Sequence, residues 1–367
     1  MKKVLLITTL ILFSLSLFSQ STEAYKEAPE LKLSGFLDVF YVYDFNEPQE
    51  NSRQGFFYNH NRHNEFNLNL GLLKLAVEHP KYRANLALQT GTYVVDNLSA
   101  EPQALQNIFE ANIGFALDKQ NKLWIDAGIM PSHIGFESAV SMDNPTLTRS
   151  ILAENSPFFL TGAKLTYSPN ETLEFAALLV NGWQRIQRTS RNSGASFGTM
   201  IYYTPNDKTS INWSTFIGSD YPDVIRRMRY FSNLYGQFEL TETLFVTLGF
   251  DIGIEENTSI FSENDIWLSP IGILQFTLSE HWKTTLRVEH YQDKAGVMIS
   301  NDSRDPFQTT GLSWNLDYAP AKNINWRFEA RYLNSEEPFF VGKNSETNKN
   351  FFLATSIAIK FGEVLSK

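Results

Sequence analysis

Sixteen stretches of about ten residues recur along this chain, and in most of them every second side chain is apolar. In residues 309–318, for example, Leu312, Trp314 and Leu316 alternate with polar neighbours. Successive side chains of a β-strand point to opposite faces, so each stretch is predicted to be a strand with one apolar face. A soluble antiparallel sheet can show the same alternation. The gaps here, however, alternate between short and long, which is typical of a transmembrane β-barrel with turns at one end and loops at the other.

The pattern therefore predicts an all-β protein, a transmembrane antiparallel up-and-down β-barrel of about sixteen strands. The predicted strands are 31–43, 64–77, 82–94, 108–117, 122–130, 159–167, 173–182, 195–204, 209–218, 229–240, 243–255, 267–278, 283–291, 309–318, 324–333 and 350–361. An even number of strands places both termini at the end of the short turns. In bacterial barrels that end is periplasmic and the long loops are extracellular.

Two segments depart from the alternation, so a number between fourteen and eighteen strands stays open. The apolar phase slips between Leu72 and Leu73, which indicates a β-bulge or a segment buried on both faces. Nearly every residue of 267–273 is apolar, and Pro270 cannot donate a hydrogen bond to a neighbouring strand. No Pro/Gly/Ser-rich linker divides the chain, so residues 25–367 are predicted to form one barrel domain.

The first residues have the order of a secretory signal peptide. Lys2 and Lys3 precede the apolar run 4–18, and a small polar stretch follows it. We expect the signal peptide to span residues 1–20, with cleavage somewhere in 19–24. The chain has no cysteine, which excludes disulfides and thiolate metal sites. Export combined with the barrel pattern predicts a bacterial outer-membrane location, and the net charge of −9 argues against nucleic-acid binding.

The predicted size of the barrel bears on its function. About sixteen strands leave an aqueous channel unless something fills it, and only about ten residues separate the signal peptide from the first strand. We therefore expect a water-filled channel for passive diffusion of small hydrophilic solutes or ions. The alternative is a non-conducting structural or adhesive barrel whose long loops, such as 45–63 and 336–349, bind a partner. A measurement of conductance separates these two functions.

The longest connection, residues 131–158, is a candidate constriction loop. It is the third long loop, and its apolar side chains suit packing against the inner wall of a barrel. The alternative is an outward loop that covers the mouth. Its charged residues are Glu137, Asp143, Arg149 and Glu154.

The same region carries a family resemblance. Residues 128–137, GIMPSHIGFE, resemble the Gly-x-Phe/Met-x-x-x-x-Gly-Tyr/Phe-Glu stretch of the OmpL-like β-barrel porin family. Further positions that match the family are Asn144, Arg149-Ser150, Pro157 and Thr161-Gly162, whereas Thr148 stands where the family has Ser. The resemblance extends over the mature chain, although only about forty residues are distinctive. It implies an outer-membrane porin of unspecified solute, and a role for Glu137, Asn144 and Arg149 in tethering the loop to the barrel wall through hydrogen bonds.

Charged side chains also occupy inward positions on the predicted strands. They are Arg83 on the early wall, and Arg287, Glu289, Arg327, Glu329 and Arg331 on the late wall. Facing rows of bases and acids could create a transverse field that orients polar solutes. Alternatively, the alternation of Arg and Glu could form a ladder of cross-strand ion pairs. The cluster Arg226, Arg227 and Arg229 at a loop end could attract anions to the mouth or bind the acidic head groups of lipopolysaccharide.

No constellation for catalysis emerges, so we expect no enzymatic activity, no cofactor and no metal site. His60 and His63 are the only clustered histidines, and His290 and Ser313 fall on opposite strand faces. The expected partners are outer-membrane lipid and lipopolysaccharide, small hydrophilic solutes, and, during biogenesis, periplasmic chaperones and the outer-membrane insertase. Phe361 near the C-terminus resembles the aromatic signal that this insertase recognises. Homotrimers are common among sixteen-stranded porins, and the sequence leaves this point open.

Overall fold

A computed structural model describes residues 28–257, 263–301 and 306–366. The predicted signal peptide lies outside the described residues. Sixteen strands, β1 to β16, form a closed barrel in which each strand pairs with its neighbours in the chain, and β1 pairs antiparallel with β16 to complete the ring. The predicted sixteen-stranded antiparallel barrel is confirmed. Within the described ranges, no helix is both long and apolar enough to cross a membrane.

The strand bounds agree with the predicted segments within three residues, except at the end of β3 and at the end of β16, which continues five residues beyond the predicted Phe361. Seven short turns lie at one end and eight longer connections at the other. The strands are Glu30–Asp44, Phe66–His79, Tyr82–Thr90, Ile108–Ala116, Leu123–Pro131, Phe159–Asn170, Leu173–Val180, Ser196–Asn206, Thr209–Gly218, Arg229–Glu239, Leu244–Glu255, Asp265–Thr277, Trp282–Asp293, Phe307–Ala321, Ile324–Ser335 and Lys349–Ser366. Short helices lie at Thr92–Asn97, Gln103–Gln106 and Ile151–Glu154, and single 3₁₀ turns at Ser141–Asp143 and Asp223–Ile225.

The predicted third strand was too long, because it continued to Val94. The strand β3 ends at Thr90, and Gly91 follows with φ of 126°, a conformation that favours glycine. A Cβ atom on Gly91 would lie 2.4 Å from the carbonyl oxygen of Asn69. The chain then turns into the helix Thr92–Asn97. Its β-branched residues resemble a strand in the sequence, but the tertiary contacts override that preference.

The apolar phase of the strands lies on the exposed outer face of the barrel, as the alternation predicts. Leu312 on β14 is 54% exposed and Trp314 is 48% exposed, whereas Ser313 between them is 1% exposed. The indole N–H of Trp314 donates to Thr284 Oγ1 (2.9 Å), and that of Trp326 donates to Thr355 Oγ1 (3.1 Å). The polar atoms of these outward aromatic side chains are therefore satisfied within the sheet, which suits side chains at a membrane interface.

The two irregular segments have physical causes. The register between β1 and β2 shifts at Asn69, three residues before the predicted slip, because Asp38 pairs with Leu70 and the next residue pairs with Leu68. This bulge buries both Asn69 and Leu70. At Pro270 the pairing between β12 and β13 is interrupted, and Ser269 Oγ instead donates to the carbonyl oxygen of His290 (2.8 Å).

Candidate functional site

Residues 131–158 leave the end of β5 and pass through the interior of the barrel. The amide of Gly135 donates to Asn233 Oδ1 on β10 (3.1 Å), and Phe136 packs against Tyr235 with ring centroids 5.5 Å apart. The opposite side of the same segment reaches Asp38 on β1, which accepts a hydrogen bond from Ser141 Oγ (2.7 Å). The segment therefore spans the lumen from one wall to the other; it is called the inner loop below.

The start of the inner loop is fixed against β8 and β9 by His133. Its Nε2–H donates to the carbonyl oxygen of Thr215 (2.9 Å), and its own carbonyl oxygen accepts from Ser214 Oγ (2.6 Å). The imidazole lies over Gly198, where a Cβ atom would be 2.8 Å from the ring. Burial lowers the pKa of His133 to about 4, because the charged imidazolium would lose its hydration.

Three arginines of the late wall donate to backbone carbonyls of the inner loop. Arg327 Nη1 donates to Ser141 O (2.6 Å), and its Nη2 donates to the carbonyls of Asn144 and Pro145 (both 3.1 Å). Arg287 Nη1 donates to Thr148 O (2.7 Å), and Arg331 Nη1 donates to Arg149 O (2.8 Å). A guanidinium offers five donors in a rigid fork, so each one can hold the loop and a carboxylate together. We call these three residues the arginine clamp.

Wall carboxylates complete the same network from the acceptor side. Glu329 accepts from the amide of Thr148 (2.6 Å), and Glu289 accepts from the amide of Ile151 (2.8 Å). Each carboxylate also pairs with the clamp: Arg287 with Glu329 at 2.9 Å, Arg331 with Glu289 at 2.5 Å, and Arg327 with Asp317 at 2.9 Å. The clamp arginines are at most 1% exposed and Glu289 and Glu329 are 2% exposed, so these groups face protein rather than water.

The three residues that the family resemblance assigns to tethering mainly shape the inner loop itself. Glu137 accepts from both the amide and the hydroxyl of Ser150, and lies 4.0 Å from Arg287 on the wall. The side chain of Asn144 bonds both backbone polar groups of Ser138, at 2.7 and 2.9 Å. The guanidinium of Arg149 stacks on the ring of Phe158 at 3.8 Å and lies 5.4 Å from the ring of Tyr93.

The other two charged residues of the inner loop contact different parts of the barrel. Glu154 accepts from the amides of Tyr58 (3.0 Å) and Asn59 (3.3 Å), which joins the inner loop to the first long loop. Asp143 forms an ion pair with Lys360 on β16 and is about half exposed. The sequence did not indicate these partners, because they lie on separate strands and loops.

An aromatic and aliphatic cluster lies at the end of the barrel that carries the long loops. Five loops contribute to it, together with inward side chains near the strand ends; the loop members are Phe56, Phe57, Ile134, Ile151, Trp183, Ile299, Phe339 and Phe340. Phe307 at the start of β14 contacts Phe56 (centroids 5.0 Å apart) and Phe339 (4.7 Å). On β12, Trp267 belongs to this cluster, and Ile271 and Ile273 pack against the inner loop. Segment 267–273 is therefore apolar on its inward face as well as on its outward face.

The remaining predicted site residue, Arg83, is not part of the clamp network. It forms a bidentate pair with Asp126 on β5 (2.7 and 2.6 Å) and stands 4.5 Å from the ring of Trp124. Together with residues 130–133 it lines an inner cavity beside β3 to β8. A second cavity of about 430 Å³ lies near the turn end, lined by Asp143, Glu239, Gln275 and Lys283 among others.

The arginines at the end of the fifth long loop are paired. Arg229 binds Glu255 (3.0 and 2.6 Å), Arg227 binds Asp265 (2.6 Å), and Arg226 pairs with Asp223. Their charges are thereby compensated, which weakens the interpretation as an anion-attracting patch.

The two clustered histidines, His60 and His63, connect the first long loop to β1. His60 Nε2 lies 3.0 Å from Asp38, and His63 Nδ1 accepts from the amide of Asp44 (3.0 Å). In the described part of the chain, no three His, Asp or Glu side chains are placed to hold a metal ion.

Comparison with known proteins assigns the family. The family described as “Putative beta-barrel porin-2, OmpL-like” matches residues 30–361. The chain belongs to this family. This porin is an outer-membrane channel for small solutes, located in the bacterial outer membrane. No curated protein sequence matches it.

Solved porins share the fold of this porin at low sequence identity. The anion-selective porin from Comamonas acidovorans is 10% identical, with a TM-score of 0.60 over 91% of this chain and 100% of that one. Salmonella typhi OmpF, in complex with daunomycin, is 13% identical, with a TM-score of 0.61 over 92% and 99%. The trimer form of Vibrio cholerae OmpT, an outer membrane protein, is 8% identical, with a TM-score of 0.55 over 91% and 100%.

Proposed function

We propose that this porin permits passive diffusion of small hydrophilic solutes or ions, and that the inner loop is the element that narrows its lumen. The observation that carries the proposal is the arginine clamp, which fixes the lumen-spanning inner loop to the wall at β13 and β15. Burying three guanidinium groups is costly unless each is paired and hydrogen-bonded, and each clamp arginine has both a carboxylate and a loop carbonyl as partner. A network of this kind is expected where a loop must be kept at a defined position inside a channel. The proposal includes no enzymatic activity.

The wall charges are better described as loop anchors than as a transverse field. A field that orients solutes needs charges that face the water-filled passage, whereas the clamp arginines and their carboxylate partners are at most 5% exposed. Their ion pairs cross from β13 to β15 and neutralise one another. Selectivity is therefore assigned to the groups that line the two inner cavities.

A non-conducting structural or adhesive barrel is the second candidate function. The aromatic cluster at the mouth favours it, because Phe56, Phe307 and Phe340 are all at most 5% exposed and their loops pack across the opening. If this packing closes the mouth, conduction requires the first and last long loops to move away from the cluster. The two candidates therefore differ in whether the loops open.

Several partners belong to the same proposal. The outward aromatic residues and the exposed apolar belt would contact outer-membrane lipid, and the loop surface would contact lipopolysaccharide. The final strand, with Phe361 on its outward face, would be recognised by the outer-membrane insertase after delivery by periplasmic chaperones. A homotrimer is proposed as well, supported by the trimeric form of a porin-fold neighbour.

The loop proposal is tested by replacing residues 143–155 with a short Gly-Ser linker. Single-channel conductance of the refolded protein in a planar bilayer is expected to rise, because the central part of the inner loop is removed. The matched control replaces the exposed segment 343–346, which lies at the tip of the last long loop. Unchanged conductance in a folded 143–155 variant would mean that the inner loop does not narrow the channel.

A further inference from the structure

The cavity beside β3 to β8 is the polar space that the inner loop leaves open on that side of the lumen. It has a volume of about 340 Å³, and inward side chains from six consecutive strands line it, together with the start of the inner loop. Its charged members are Arg83, Glu110, Asp126, Lys164 and Glu174. The clamp residues of β13 to β15 do not line this cavity.

Most of the charge in this cavity is internally compensated. Arg83 pairs with Asp126 (2.6 Å), and Glu110 pairs with Lys74 (2.6 Å). Among the residues that the structure describes, Lys164 and Glu174 have no ion-pair partner within 4.0 Å. The cavity thus offers one ammonium group and one carboxylate that are not engaged in an ion pair, with no net charge between them.

The positions of these two groups follow from the strand register. Lys164 on β6 pairs with Leu178 on β7, and Tyr167 pairs with Phe175, so Glu174 lies beside Ser168. The Ser168 hydroxyl donates to Glu174 at 3.3 Å. Four residues of strand separate Lys164 from this point, which is about 13 Å along the strand. Two long flexible side chains can converge from this separation onto the ends of a small molecule.

Apolar groups also line the cavity. Met130 at the end of β5 and Met200 on β8 lie on its surface, next to Pro131. Methionine side chains adapt their shape to different apolar ligands. The lining therefore combines a base, an acid and an adaptable apolar patch.

We propose that this cavity binds small zwitterionic solutes, namely amino acids or short peptides. The solute carboxylate faces Lys164, its ammonium group faces Glu174, and its side chain contacts Met130 and Met200. This inference rests on the proposed function, because the cavity would act as the selective part of the permeation route. Lys164 and Glu174 are then the residues that determine specificity.

Binding is measured by isothermal titration calorimetry on the refolded protein in detergent micelles, with diglycine as the zwitterionic probe. Succinate and N-acetylglycinamide serve as the anionic and the uncharged probes. Diglycine is expected to bind at least tenfold more tightly than either. Lys164→Met and Glu174→Gln are each expected to weaken diglycine binding at least tenfold. The control variants Lys119→Met and Glu280→Gln change exposed residues in two of the short turns, and they should bind diglycine like the wild type.

The inference is overturned if diglycine binds no better than the uncharged probe, or if the two cavity variants bind it like the controls. Calorimetry in micelles does not depend on an open channel, so a bilayer recording of the same protein separates the two proposals. Ion conduction without diglycine binding contradicts the zwitterion site and leaves the channel proposal standing. Diglycine binding that is lost in the variants supports the site even if the barrel does not conduct, in which case the channel proposal fails.

Discussion

Replacing Arg327 by methionine should release the centre of the inner loop while the barrel stays closed. The guanidinium makes five hydrogen bonds, three to the carbonyls of Ser141, Asn144 and Pro145 and two to Asp317. Methionine keeps much of the apolar volume but none of the donors. The ladder of sixteen strands does not use this side chain, so the change acts on loop docking rather than on barrel closure.

The magnitude follows from the three bonds to the loop. Hydrogen bonds to a charged group contribute about 1.5–3 kcal/mol each, and they are not additive. We therefore take about 3 kcal/mol as a cautious value for the lost docking energy, which corresponds to about a 100-fold increase in the undocked population. The unpaired Asp317, which is 5% exposed, adds a penalty to the whole protein of about 3–5 kcal/mol.

Hydrogen exchange of the peptide 140–150 measures the docking directly. We expect its protected amides, such as those of Asp143 and Thr148, to exchange about 100-fold faster in Arg327→Met. The double variant Arg327→Met/Asp317→Leu should recover global stability, because no carboxylate is left unpaired, yet keep the fast exchange. Arg229→Met is the matched control, since Arg229 is a buried arginine that pairs with Glu255 away from the inner loop. Wild-type exchange rates in Arg327→Met would refute the clamp.

Three further outcomes are expected. Glu289→Gln removes the carboxylate that pairs with both Arg331 and Arg287 inside the barrel, so the free energy of unfolding in urea should fall by about 3–5 kcal/mol. No change in this free energy would show that the ion pairs of Glu289 are dispensable. Gly35→Val places a Cβ atom 2.2 Å from the ring of Phe361, so it should disturb the pairing of β1 with β16 and lower the yield of folded barrel. The yield is measured by heat-modifiable gel mobility. The control is Gly272→Ala, because a Cβ atom at this half-buried glycine has space. Finally, His133 has a pKa of about 6.5 in the unfolded chain and about 4 in the folded chain. The free energy of unfolding should therefore fall by about 3 kcal/mol as the pH drops from 6.5 to 4, and His133→Gln should abolish this part of the pH dependence.

The barrel could be predicted from the sequence because its determinant is local. Alternation of apolar and polar residues sets the two faces of every strand, as in residues 309–318, and short turns set the order of pairing. The strand number and the strand bounds within three residues follow from these two signals alone, apart from the ends of β3 and β16. The bulge at Asn69 was misplaced by three residues, because Leu70 and Leu72 both point inward and imitate a later change of phase.

The candidate site was accessible from the sequence only in part. The inward charges of β13 and β15 could be assigned to the lumen from their phase, whereas their partners on the inner loop could not, since backbone carbonyls such as those of Ser141 and Thr148 leave no trace in side-chain patterns. Lys164 and Glu174 also occupy the inward phase of their strands. They were not singled out, because only the three-dimensional arrangement shows which inward charges lack a partner.

Single-channel conductance of the refolded mature protein in a planar bilayer tests the central claim most directly. A narrowed but open channel predicts stable current steps in molar salt, with larger steps when residues 143–155 are replaced. A folded barrel that stays electrically silent, both with and without the inner loop, would contradict the channel proposal and favour the structural or adhesive one.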